Sequence, residues 1–148
     1  MKISSTKRQP NRVLSAIEGS GNVIVDFIFE QGLLFVEIAN LGDKPALDVS
    51  VKFSPSFKIL NGERTISSLQ LFKRLRFLAP RRRIRAFIGE VTSFFTRFNG
   101  DTVVTVNLSY LSETGGKIRR TIVHDLGIYR DLPYLTTNVL AADASVSA

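Results

Sequence analysis

Leu47-Asp48-Val49-Ser50-Val51-Lys52-Phe53 alternates apolar and polar residues without a break. Successive side chains of a strand point to opposite faces, so Leu47, Val49, Val51 and Phe53 are predicted to face one way and Asp48, Ser50 and Lys52 the other. A strand with one apolar face has to bury that face against a second layer. The same period recurs on both sides of it. Upstream, Val23, Val25, Phe27 and Phe29 alternate with Ile24, Asp26 and Ile28; Gln31-Gly32 supplies a turn, and Leu33–Asn40 forms the return strand of a hairpin. Both faces of Leu33–Asn40 are fairly apolar, so its pattern alone leaves the register open. Asn40-Leu41-Gly42-Asp43-Lys44-Pro45 is turn chemistry joining it to the strand quoted first.

Downstream, Pro55, Asn61-Gly62 and Ala79-Pro80 punctuate the chain before Ile84, Ala86 and Ile88, which share one face. Thr92–Phe98 fits either a helical turn or a short strand, because Phe94, Phe95 and Phe98 form an i, i+1, i+4 stripe. Val104, Val106, Leu108 and Tyr110 then alternate with Thr105, Asn107 and Ser109, and after Glu113-Thr114-Gly115-Gly116 the run Lys117–Leu126 returns antiparallel. The expected fold is all-β: an immunoglobulin-like, two-sheet antiparallel β-sandwich of about seven strands, with no helix long enough for a parallel crossover. Its expected core is Val25, Phe27, Leu34, Val36, Ile38, Leu47, Val49, Val51, Phe53, Ile84, Val104, Val106, Leu108 and Ile122.

The chain has 148 residues, 44% of them hydrophobic, which suits one globular domain with extensions. The expected organisation is a flexible extension over 1–21, the sandwich over 22–130 and a mostly disordered tail over 131–148. Without cysteine, no disulfide framework or thiolate metal site can form. No apolar run approaches the roughly 20 residues of a membrane span, and residues 1–22 lack the apolar stretch of a secretory signal. A soluble, cytoplasmic protein is the expectation.

Two stretches carry a resemblance. The strand, Asn-x-Gly turn and second strand of Leu33–Val51, and the segment Leu78-Ala79-Pro80-Arg81-Arg82-Arg83-Ile84-Arg85-Ala86, resemble bacterial and archaeal immunoglobulin-like domains of the cell-adhesion-related (CARDB) and NEW3-like kind. Such domains often show Leu-x-Pro-Gly at the second place; here Arg81 stands in the glycine position. The resemblance covers roughly residues 23–126 and implies a binding or spacer module without catalytic machinery.

Charge is the most localised feature. There are 20 Lys plus Arg against 13 Asp plus Glu, and Lys73, Arg74, Arg76, Arg81, Arg82, Arg83 and Arg85 occupy one stretch free of acids. Outside it, 13 basic residues balance 13 acidic ones, so this segment holds the whole net charge of +7. Folded back at Pro80, it is expected to superpose two charged arms in a hairpin-like loop. Guanidinium groups favour bidentate contact with carboxylate or phosphate. An acidic protein partner or surface is therefore the first candidate, and nucleic acid or anionic lipid the second. Arginines that merely keep an edge strand from aggregating would leave the same pattern. Phe72, Phe77 and Phe87 interleave with the cations, a spacing that fits core better than base stacking.

Catalytic chemistry finds no constellation. His124, the sole imidazole, sits beside Asp125 with no nucleophile pair in view and reads as a solvated or core-satisfied histidine and not as a general base. Asp43 and Asp48 read as turn caps and not as a calcium loop, and neither Gly19-Ser20-Gly21 nor Gly115-Gly116 joins a strand to a helix as a phosphate loop would. No enzyme activity, metal or cofactor is expected.

Overall fold

The computed structural model describes residues 22–98 and 101–134, with side chains as far as Arg130. The expected extension over 1–21, and the expected tail beyond Tyr134, lie outside the described residues. Two antiparallel sheets carry the fold. The first has the order β1 (Val23–Glu30), β2 (Leu33–Asn40), β7 (Arg83–Glu90), and the second β6 (Leu75–Leu78), β3 (Ala46–Ser54), β8 (Val103–Leu111), β9 (Lys117–Asp125). Between β3 and β6 the chain forms a small ribbon of β4 (Lys58–Ile59) and β5 (Arg64–Thr65), a 3-10 turn over Ile66–Ser68 and the one-turn helix α1 (Gln70–Lys73). Helix α2 (Val91–Arg97) follows β7, and a 3-10 run over Leu126–Tyr134 carries the chain past the expected boundary at 130.

The hairpins form where the turn residues accept positive φ. Gln31 (φ 51°) and Gly32 (φ 79°) both do, the geometry that matches the right-handed twist of the flanking strands β1 and β2. Pairing Val25 with Ile38 and Phe27 with Val36 then settles the register of β2: Leu34, Val36 and Ile38 face the core. Its opposite face is covered too, since Glu37 and Ala39 are also buried. The ambiguous stretch Thr92–Phe98 resolves as helix as far as Arg97, with Phe98 its extended C-cap and Val91 and Phe94 turned inward.

The strand that decides the fold departs from strict alternation. Asp48 takes φ 48°, and the pairing of β3 with β8 slips between Leu47 and Ser50. A bulged residue shifts the face of what precedes it. Ala46 and Val49 therefore point inward, and Leu47, expected in the core, is turned to the outer face beside the exposed Phe77. Of the other expected core residues, Ile84 and Ile122 are only partly buried and pack against the core from its margin. The remaining eleven are buried.

The connections add what alternation could not reveal. Phe57 lies within 6.0 Å of Phe27 from the first sheet, 5.7 Å of Phe53 from the second and 5.8 Å of Phe94 from α2, ring centre to ring centre. The free edge of β1 is closed by side chains of the other sheet and its extension. His124 Nε2 lies 2.8 Å from the Val25 carbonyl, and the Tyr129 hydroxyl donates to the Phe27 carbonyl at 3.0 Å. A carbonyl oxygen only accepts, so Nε2 carries the proton, and of the two settings expected for His124 the structure has the satisfied one.

Candidate functional site

The basic segment is built from three elements. Lys73 ends α1, Arg74 caps it in extended conformation, and Arg76 lies on β6, at the edge of the four-stranded sheet. Ala79-Pro80-Arg81-Arg82 then forms a turn closed by Arg82 N–H donating to the Ala79 carbonyl at 3.2 Å, with Arg81 at φ 65° in the position that favours glycine. Arg83 and Arg85 follow on β7 in the other sheet.

This corrects the hairpin expected from the sequence. The two strands flanking Pro80 belong to different sheets, so the turn is a crossover at the end of the sandwich and its charged arms diverge. Burial explains the crossover: Leu78 must face one half of the core while Ile84, Ala86 and Ile88 complete the other.

All seven cations are exposed, yet three find acids from elsewhere in the chain. Arg74 Nε is 3.2 Å from Asp48 Oδ1. Arg83 Nη1 and Arg85 Nε each donate at 3.0 Å to a different oxygen of Glu37, whose side chain is only 3% exposed. Arg85 Nη1 reaches Glu30 at 3.2 Å, and its guanidinium stands over the Phe35 ring at 5.7 Å. The hydrogen bonds to Glu37 first, and then Glu30, raise the pKa of Arg85 further above its ordinary value. Among the described residues Lys73, Arg76, Arg81 and Arg82 make no ion pair; Arg81 Nη1 donates instead to the Leu41 carbonyl at 2.9 Å.

Two positioning residues escaped the sequence reading. One is Glu37, whose role depends on strands far apart in the chain becoming neighbours. The other is Asn40, fully buried. Its Oδ1 accepts from the backbone N–H of Asn22 and Gly42, its Nδ2 donates to the carbonyls of Lys44 (2.8 Å) and Leu78 (3.2 Å), and its backbone N–H donates to the Arg82 carbonyl at 2.9 Å. Asn40 thus ties the β2–β3 crossover to the β6–β7 crossover and holds the base of the Pro80 turn. Its place before a turn glycine was visible; its second partner was not.

The phenylalanines split three ways. Phe72 is buried, Phe87 packs on Phe35 at 5.6 Å across the outer face of the first sheet, and Phe77 is 58% exposed. Pairing places Phe77, Leu47, Leu111 and Lys117 in one row across all four strands of the second sheet. An apolar row with an exposed aromatic ring therefore starts next in sequence to Arg76, a cation without an ion pair among the described residues.

The family model for the domain of unknown function DUF8453 matches residues 2–130, nearly the whole chain. The chain belongs to the DUF8453 family. In this DUF8453 member the match spans both sheets and the Pro80 crossover with its basic turn. No curated protein matches it. Among the described residues of this DUF8453 chain no three His, Cys, Asp or Glu side chains converge to hold a metal, and no helix is long and apolar enough to cross a membrane.

Proposed function

We propose that this chain is a non-enzymatic interaction module, acting in the cytoplasm, that docks an acidic protein surface at the end of the sandwich around Pro80. The strand order β1-β2-β7 against β6-β3-β8-β9, with hairpins at the first and last strand pairs of the described residues and crossovers between, supports an immunoglobulin-like topology for it. The observation that carries the reading is the exposed Phe77 ring, continued by Leu47 and Leu111, next in sequence to Arg76, which has no acid of its own among the described residues. Interfaces draw their affinity from aromatic and arginine anchors of this kind, with charge guiding approach and choice of partner. Lys73, Arg76, Arg81 and Arg82 are the contact cations. Arg74, Arg83 and Arg85 serve the fold through Asp48, Glu37 and Glu30.

The test is a triple variant, Lys73→Glu, Arg76→Glu and Arg82→Glu, which reverses charge without touching the internal ion pairs. Proteins captured by the wild type from nuclease-treated lysate should be lost from the variant and from Phe77→Ser. Recovery of the same proteins by all three chains would sink the reading. Capture that vanishes on nuclease treatment, or transfers to anionic vesicles with steep salt dependence, would favour the phosphate-backbone alternative.

A further inference from the structure

The outer face of the four-stranded sheet holds a second cationic surface, apart from the basic segment. Strand register places Ser50, Ser109 and Arg119 in one row across β3, β8 and β9, and Lys52, Asn107 and Thr121 in the next. Lys117, opposite Leu111, lies two residues before Arg119 on the same face. These side chains line a shallow concavity of about 360 Å³, and among the described residues no carboxylate lines it. The other sheet handles its outer-face arginines differently, neutralising Arg83 and Arg85 with Glu37 and Glu30. Among the described residues Lys52, Lys117 and Arg119 have no such ion pair.

The groove is also oriented to donate. Thr121 Oγ1 donates to Asn107 Oδ1 at 2.7 Å, which fixes the amide and leaves its Nδ2 hydrogens for another acceptor. Asn107 and Ser109 form the floor on the central strand β8, flanked diagonally by Lys52 and Arg119. Strands lie about 4.8 Å apart and alternate residues about 7 Å apart along each, so both long side chains can reach one group seated over the floor.

We propose that this groove is a seat for a small phosphate-bearing anion. A tetrahedral phosphate offers three terminal oxygens: the Arg119 fork can take two, the Lys52 ammonium the third, and Asn107 Nδ2 and the serine hydroxyls the remaining lone pairs. A carboxylate, with two oxygens and a single charge, would match fewer of these donors and cations than a phosphate does. Lys117 adds charge for a second phosphate. Among the described residues no aromatic ring lines the groove, so a nucleobase would find none of them to stack on.

The experiment is a titration of the whole chain with sodium tripolyphosphate at low salt, followed by backbone amide NMR. Saturable shifts should centre on Ser50–Lys52, Asn107–Ser109 and Arg119–Thr121. The double variant Lys52→Gln, Arg119→Gln should weaken binding by at least about tenfold, the size expected for losing charge-assisted contacts, and Thr121→Val, by freeing the amide, several-fold. Lys73→Gln, Arg76→Gln and Arg82→Gln together should leave affinity unchanged, which separates this seat from the interaction site around Pro80. The proposal is overturned by absence of saturable shifts at millimolar tripolyphosphate, by shifts centred on Lys73–Arg82, or by binding confined to phosphatidylserine vesicles or oligonucleotides.

Discussion

Arg81 occupies the left-handed region at φ 65°, where a side chain costs roughly 1–2 kcal/mol that glycine does not incur. Its guanidinium recovers part of that through the exposed bond to the Leu41 carbonyl. Arg81→Gly should therefore raise stability by about 0.5–1 kcal/mol, and Arg81→Val, β-branched in the same conformation, should lower it; urea unfolding of the two variants checks both signs. Asp125 sets a pH dependence. Hydrogen bonds from Thr102 Oγ1 (2.8 Å) and then the Gly127 N–H (2.9 Å) hold its carboxyl below the ordinary value. A depressed carboxyl binds fewer protons folded than unfolded, so its contribution is present above the ordinary value and lost as pH falls through the depressed one. Between neutral pH and about pH 3 the melting temperature of Asp125→Asn should fall less than that of the wild type.

At the scale of elements, the basic turn stands where it does because two crossovers share one buried amide. Asn40→Ala would leave the carbonyls of Lys44 and Leu78 and the N–H of Gly42 without their partner, in a space too buried for water to enter freely. Unsatisfied buried groups cost about 1–3 kcal/mol each, so a loss of at least about 3 kcal/mol overall is expected. Chemical denaturation measures it, and amide exchange should quicken at Leu41–Gly42 and Arg81–Arg82 ahead of the strands. Most strands were legible as strands, because alternation records burial of one face. The bulge at Asp48 was not: positive φ in a residue other than glycine leaves little trace in the sequence, and it moved Leu47 from the core to the outer face. The Pro80 segment misled for a related reason. A proline turn between two short runs looks alike whether the runs pair with each other or lie in opposite sheets.

At the scale of the whole molecule, Phe57 joins both sheets to α2, although it lies in a stretch with no periodicity of its own. It is 6% exposed and touches rings from all three. Removing the ring leaves a cavity that neighbours fixed in two sheets can only partly fill, so Phe57→Ala should cost about 4 kcal/mol, read as a lower urea midpoint with an unchanged slope. Charge is distributed at the same scale. Among the described residues, acids from β1, β2 and β3 neutralise three cations of the basic segment, while Lys52, Lys117 and Arg119 gather from three strands into a surface no single stretch announces. By itself the sequence determined the all-β class, most strand positions, the β1–β2 and β8–β9 hairpin turns and the location of the excess charge, since each is written in local alternation, turn chemistry and residue count. Which cations remain unpaired among the described residues, where Phe77 is left exposed and how the outer groove assembles were decided only by tertiary structure. Those properties depend on which strands become neighbours, and neighbours are chosen by burying the two inner faces together.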